Sequence, residues 1–394
     1  MGGRLILRKL LALLCAALFA LMLVFGSLYI KDVGVSNIFG ETDFTREFED
    51  EDGRYRHYFE MLNGDERAAY IQVLNEIDGH PKRISVPLIN AKQMDKVFDA
   101  LLYDNPGLLC IESGGGSLRT SGSRCWFEPS YGESPEACRE RGKKLSDAAS
   151  GILAGMDPSW DDYEKEKYIH DTIVLGCRYH SGAYPHSAYG AIVEGEATCA
   201  GYAKSAQLLL SLSGVKCCLM LGTAQAAGEE RLNHAWNIVW IGEKPYHLDL
   251  TWDDPVNENA AENYLRYVYF NITDDEISQT HDDFAFEPGC IYTEANYYRR
   301  EGLFFSSYDG SAKDTICGNL LKTVREARYQ AEFRFAGGEL LNTAVNKLIE
   351  GGEVYDILRY VGENVSEPLN TREIKYIIKD DYNILCLIPA FEPN

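Results

Sequence analysis

The stretch Asn233–Pro255, NHAWNIVWIGEKPYHLDLTWDDP, leaves the middle of the chain few ways to fold. Two runs, His234–Ile241 and Lys244–Trp252, flank Gly242–Glu243, and their β-branched and aromatic residues predict an antiparallel hairpin. Glycine at the first central position suits a two-residue type II′ turn. In the register that turn imposes, Ile241 faces Lys244, and Asp249 lies opposite Trp236 and diagonal to His234. Side chains alternate between the faces of a sheet, so His234 and Asp249 share one face within reach of each other. A loop with one more residue would put them on opposite faces. Pro245 cannot donate to a ladder and is expected at an edge or beside a slightly longer loop.

Upstream, CAGYAKSAQLLLSLSG reads as a helix that begins at Cys199, with Thr198 as N-cap and Gly214 as its stop. Cys199 then sits in the first turn, where peptide dipoles and free N–H groups favour an anion and lower a thiol pKa. Ala203, Ala206 and Leu210 share its face, and the small residues let the helix approach a neighbouring element closely. A cysteine on an apolar helix face is ordinarily core filler. The histidine and aspartate of the hairpin change that weighing. Cys199, His234 and Asp249 form a set of nucleophile, base and orienter, suited to acyl transfer through a thioester. Asp253 has the same parity as Asp249 and is its rival.

The words SAYGAIVEGEATCAGYAKSAQLLLSLSGV, NHAWNIVWI and YHLDLTWDDP resemble the transglutaminase-like superfamily, in its bacterial extracytoplasmic branch. The resemblance covers roughly residues 162–288. It implies an α+β fold with a papain-like transglutaminase core, a nucleophile helix packed on an antiparallel sheet, flanked by smaller α+β regions. It implies Cys199 as nucleophile, His234 as base and Asp249 as orienter. Members include protein-crosslinking transglutaminases, peptidases, deamidases and deglycosylating amidases. The implied chemistry is thus thiol-dependent acyl transfer or hydrolysis at an amide bond, on a protein or peptide such as a cell-wall peptide. No cofactor is required. The competing class is a non-catalytic extracellular binding module that kept the fold.

An oxyanion hole needs a second donor besides the N–H of Cys199. Papain-like proteases place a glutamine six residues before the cysteine; here that position is Val193. Tyr189, Tyr179 and Trp236 are the candidates, each explained as simply by packing. Metal binding has little support. The cysteines form no CxxC, and His180 and His186 with Cys177 match no common spacing. Asp253–Asp254 and Asp274–Glu276 lack EF-hand spacing and read as loops and helix N-termini. His247, near the turn, reads as a surface residue, and Cys217–Cys218 as strand packing.

At 394 residues the chain exceeds one compact core. Arg4, Arg8 and Lys9 precede an apolar run, Leu10–Ile30, long enough to cross a bilayer. It reads as a signal anchor with its basic end inside and the rest of the chain outside, or alternatively as a cleaved signal peptide. The expected location is extracytoplasmic, membrane-anchored through that helix or secreted. A net charge of −22 argues against nucleic-acid binding. The expected divisions are the anchor (1–31), a linker (32–53), an N-terminal α+β region (54–157), the catalytic core (158–290) and a C-terminal α+β region (291–394). In the N-terminal region a helix is predicted over 55–76, and SGGGSLRTSGS is read as a loop between strands Leu108–Glu112 and Cys125–Glu128. At the other end, Ala331–Phe335 reads as a strand, and KDDY as the turn of a hairpin.

Overall fold

The computed structural model describes residues 54–391, apart from 227, 255–264, 327 and 329. The run Leu10–Ile30 and the linker that follows lie outside the described residues. Among those described, no helix is long and apolar enough to cross a membrane. The chain forms two compact units: the first contains residues 58–101 and 110–135, the second residues 102–109 and 136 onward.

In the first unit, helix α1 (Gly64–Glu76) opens on a reciprocal cap. Asn63 Oδ1 accepts from the Glu66 N–H, and Glu66 Oε2 accepts from the Asn63 N–H. That cap divides the single helix expected over 55–76 from a preceding turn, His57–Glu60. Strand β1 (Ile84–Val86) is followed by helix α2 (Ala91–Asp104) and the hairpin β2 (Ile111–Ser121) and β3 (Arg124–Tyr131), in sheet order β1-β3-β2. The glycine-rich segment expected to loop is itself most of β2. The register slips between Ile111 and Gly116, and a Cβ on Gly116 would lie 2.2 Å from the Glu128 carbonyl oxygen. Glycine makes this bulge possible; low side-chain content does not make the segment a loop.

The main part of the second unit begins with α3 (Pro135–Leu153) and α4 (Asp162–Gly176), whose start is fixed by the Asp161/Glu164 capping box. Two short parallel strands, β4 (Arg178–Tyr179) and β5 (Glu196–Ala197), precede helix α5 (Cys199–Leu212). Gly214, at φ +83°, takes the left-handed conformation that ends α5, and the Val215 N–H bonds back to the Leu210 carbonyl. A sheet follows, built from β6 (Cys217–Ala224), β7 (Leu232–Ile241), β8 (Lys244–Leu248), β9 (Phe270–Ile272) and β10 (His281–Asp282), in order β10-β6-β7-β8-β9.

The β7–β8 hairpin has the expected register, with Ile241 opposite Lys244 and Asn237 opposite Leu248. Gly242 has φ +60° and Glu243 does not share its positive sign, as a type II′ turn requires. The turn-flanking pair is hydrogen-bonded, so Pro245, opposite Trp240, falls at a non-hydrogen-bonded pair and points its nitrogen away from β7. Strand β9 pairs only from His247 onward, so the proline interrupts no ladder. The expected second strand, however, stops short. Beyond Leu248 the chain turns into a four-residue helix, α6 (Leu250–Asp253), with Asp249 as its N-cap.

Helix α5 is buried on nearly every face, including Ala203, Ala206 and Leu210. Asn237 of β7 donates its Nδ2–H to the Ala203 carbonyl at 3.0 Å and so ties the helix to the sheet. The rest of the unit adds β11 (Phe304–Phe305), α7 (Gly310–Arg325), β12 (Ala331–Phe335), α8 (Gly338–Val345), α9 (Glu353–Glu363), β13 (Leu369–Lys379) and β14 (Ile384–Phe391). Its four strands form a second sheet in order β11-β12-β14-β13. One apolar cluster runs from Tyr202 and Leu209 of α5 through Phe270 to Phe333 and Leu385. The expected division between 290 and 291 is therefore not a packing boundary: both sheets share one core.

Close approach of α5 to its surroundings depends on Gly201. A Cβ there would lie 2.7 Å from the Pro185 carbonyl oxygen and 2.6 Å from Ala197 Cβ. Backbone atoms cannot yield as side chains do, so the clash outweighs alanine's better helix propensity. Gly201→Ala is expected to destabilise the fold by about 1–3 kcal/mol, read from the midpoint of a urea melt.

Candidate active site

Cys199 opens α5 as a half-buried free thiol. Thr198 stands at the N-cap position, but its side chain does not cap the helix. Its hydroxyl instead donates to the Pro185 carbonyl at 3.0 Å and faces His186 Nδ1 at 2.8 Å. The N–H groups of the first turn are thus left without a side-chain cap beside the sulfur.

His234, near the start of β7, directs Nε2 to Asp249 Oδ2 at 2.7 Å. Nδ1 is the ring nitrogen not directed at Asp249, and Cys199 acts on the imidazole to favour its charged form. Asp249 is fully buried. Its Oδ1 accepts from the backbone N–H groups of Thr251 at 2.9 Å and Trp252 at 3.2 Å, the capping bonds of α6. The structure therefore brings the three expected residues together. It places Asp253 elsewhere: that carboxylate lies 3.3 Å from His170 Nε2 and accepts from the Tyr269 N–H at 3.0 Å. Asp249 and Asp253 sit at the two ends of one helical turn, so their carboxylates diverge.

The electrostatics follow from these contacts. Burial works to raise the Cys199 pKa, but the hydrogen bond and charge of His234, helped by the Ala235 N–H, bring it below the ordinary thiol value. Burial works to lower the His234 pKa; the Asp249 carboxylate and the thiol outweigh it and raise the imidazole to about 10. Burial opposes ionisation of Asp249 as well, yet His234, then His281, hold it well below the usual carboxylate range. The shifts of Cys199 and His234 both favour the thiolate–imidazolium form of the pair over the neutral one. Five other cysteines behave in the opposite way: burial pushes the thiols of Cys177, Cys217, Cys218, Cys290 and Cys386 up.

Besides His170, two buried histidines were not recognised from the sequence pattern. His281, on β10, places Nε2 3.0 Å from Asp249 Oδ2. His247, expected at the surface, is fully buried; it accepts the Trp236 indole N–H at Nδ1 (2.9 Å) and lies 2.7 Å from Asp274 Oδ1 through Nε2. Proximity to a turn misled, because β9 covers that part of β8. The indole of Trp236 is thereby committed and cannot serve an oxyanion. Tyr189 is buried in a separate cluster with Leu145 and Leu208. Tyr179, partly exposed on β4, is the candidate that stays in electrostatic contact with both Cys199 and Asp249.

His234, Asp249 and His281 also resemble a metal-ligand set. Neighbouring ligand atoms around an ion with bonds of about 2.1 Å stand about 3 Å or more apart. The 2.7 Å separation of His234 Nε2 from Asp249 Oδ2 is shorter, and both imidazoles aim at that one oxygen, so the spacing fits hydrogen bonds instead. A cavity of about 330 Å³ elsewhere in the second unit is lined by Lys167, Asp171, Tyr267, Arg328 and Glu332 among others, and by none of the Cys199 set.

A helix that opens on Cys199, packed on an antiparallel sheet, with His234 and Asp249 of the hairpin brought to its start, has the arrangement of a transglutaminase-like core. Residues 151–251, which carry Cys199, His234 and Asp249, match the family model for the transglutaminase-like superfamily. Two solved structures are similar to part of the chain. One is a candidate cysteine protease from Cytophaga hutchinsonii, 21% identical over 28% of this chain and 37% of its own, with a TM-score of 0.23. The other is a TGase, 13% identical over 45% of this chain and 53% of its own, with a TM-score of 0.26. The chain thus spans about a third to a half of those structures. No curated protein matches it.

The ion pair makes a signed prediction. Wild-type Cys199 should react with iodoacetamide on the acid side of ordinary thiols. In His234→Gln the main influence left on the thiol is burial, so its titration should move to the alkaline side. Labelling of Cys199 at pH 6, read by peptide mass mapping, is expected to fall by about an order of magnitude or more.

Proposed function

We propose that the protein carries out thiol-dependent acyl transfer or hydrolysis at an amide bond of a protein or peptide. The observation that carries this reading is the contrast among the cysteines: the thiol of Cys199 is lowered by a histidine partner, while burial raises those of Cys177, Cys217, Cys218, Cys290 and Cys386. In this reading the Cys199 thiolate attacks the amide carbonyl carbon, and an S–C bond forms as the carbonyl becomes an oxyanion. The N–H of Cys199 and the Tyr179 hydroxyl stabilise that charge. His234 gives its Nδ1 proton to the leaving nitrogen as the C–N bond breaks, leaving a thioester. Water or an amine, relieved of a proton by His234, then attacks the thioester and releases Cys199. Asp249 holds the imidazole ring and stabilises its charged form.

A non-catalytic binding module would have no use for a thiol tuned in this way. Cys199→Ser distinguishes the two. Serine nearly preserves volume, so the melting temperature should change little, but a hydroxyl is far less acidic than a thiol. Amide hydrolysis or amine incorporation is expected to fall by at least about two orders of magnitude, with loss of iodoacetamide labelling at this position. Retained turnover in the folded variant would defeat the catalytic reading.

We further propose that the protein works outside the cytoplasm, held by the run Leu10–Ile30 or released after its cleavage, on surface proteins or cell-wall peptides. Support comes from the basic residues that precede that run. A chain starting at Lys31 should remain in the supernatant without detergent, whereas the full chain should sediment with membranes in the host cell or be recovered outside it.

A further inference from the structure

We infer that His281 is a positioning residue for the acyl-transfer site, one that shares the carboxylate of Asp249 with His234 and limits how tightly His234 holds its proton. The inference rests on the reading of Cys199 as nucleophile and deepens it.

The geometry is specific. Asp249 has two oxygens and four donors: two backbone N–H groups on Oδ1, and the Nε2 atoms of His234 and His281 on Oδ2 at 2.7 and 3.0 Å. A histidine held in place only by its own packing would not need to meet that oxygen. His281 is itself fixed from behind, its Nδ1 lying 2.9 Å from the Thr280 hydroxyl. Its strand is brought close by a glycine. His281 and Asp282 pair with Ala224 and Thr223 of β6. Next along β6, opposite His234, is Gly222, where a Cβ would lie 2.5 Å from the Asp282 carbonyl oxygen and 2.8 Å from the Trp236 ring. Any larger residue would push β10 and the indole away. The two imidazoles meet edge to face, with ring centroids 5.2 Å apart.

The chemical consequence concerns proton transfer. Asp249 raises the basicity of His234, which stabilises the thiolate–imidazolium pair. Too strong a grip, however, makes the imidazolium a poor acid toward the leaving nitrogen, since an efficient acid has a pKa near the working pH. A second donor on Oδ2 withdraws part of the negative charge His234 feels. The charged and titratable groups around His281 are Asp249, His234, His247 and, from the loop before β9, Tyr269, whose ring centroid is 5.7 Å away. Tyr382 approaches the same corner through Thr280. Of these, Asp249 is the group hydrogen-bonded to both His281 and His234.

The test is the pH dependence of Cys199 alkylation by iodoacetamide. It has a lower inflection where the thiolate forms and an upper one where the imidazolium loses its proton. His281→Leu removes the donor at similar volume. His281→Gln keeps an N–H near the Nε2 position, while His281→Asn puts its amide near Nδ1, able to meet Thr280 but too short for Asp249. In the Leu and Asn variants the upper inflection is expected to rise by about half a pH unit or more, with turnover at neutral pH falling; in the Gln variant both should return toward wild type. Should His281→Leu fail to fold, the comparison of Asn with Gln decides. An upper inflection that stays put or falls in Asn while Gln matches wild type in stability would overturn the inference, as would equal effects in all variants. A wild-type Cys199 without an acid-shifted lower inflection would instead defeat the catalytic reading itself.

Discussion

A carboxylate with no access to water dominates this structure. Removing an ionised group from solvent costs several kcal/mol unless its lone pairs are met. Asp249 is completely buried and ionised, and every one of its contacts is a donor. Those contacts set the local fold. The chain must leave the sheet at Leu248, because Oδ1 can collect the N–H groups of Thr251 and Trp252 only if the backbone turns there into a helix. Strand β10 must come in beside β6, because Oδ2 has room for a second imidazole. The thiol and His234 are the part of this arrangement that faces outward.

A second buried network supports the first. An indole N–H can only donate, so His247 must accept at Nδ1 and present Nε2–H to Asp274. Burial lowers the His247 pKa, consistent with a neutral ring serving as a link and not as a charge. Asp274 also accepts from the Cys290 N–H at 2.9 Å. The result is a Trp236 ring that cannot rotate, lying nearly parallel to His234 with ring centroids 6.0 Å apart. His234 is therefore held at its edge by Asp249 and on its face by a ring that is itself anchored. Two histidines on one sheet, His234 paired as a charged ring with Asp249 and His247 held as a neutral one, divide the work of tuning and of support.

The parts of this that could be read from the sequence are those governed by short-range rules. Gly242 announced its turn, the turn set the register, and the register placed His234 and Asp249 on one face. Gly214 announced the end of α5, and the alternation of Ala331–Phe335 a strand. What escaped depended on partners distant in sequence or on short elements. Four-residue α6 has no periodicity to detect, so its residues read as a continuing strand, and Asp253 looked equivalent to Asp249. His281 lies on a two-residue strand that pairs, among the described residues, with β6 alone. His247 was judged by its distance from a turn, although the cover supplied by β9 decides its burial. The glycines of β2 looked like a loop because a bulge and a loop call for the same residue.

Thr198 shows why a local rule can fail at a place where chemistry is at stake. A threonine before a helix ordinarily caps it, and losing such a cap costs about 1 kcal/mol. Here the hydroxyl turns away to the Pro185 carbonyl, and the first N–H groups of α5 go without that partner. The helix can bear this because its stability comes from burial on nearly all sides, through Tyr202, Ala206, Leu209 and Leu210, and not from its ends. A hydroxyl over the first turn would occupy the donors that a negative charge beside Cys199 needs. The missing cap thus leaves a helix start that favours an anion, beside a thiol that His234 lowers.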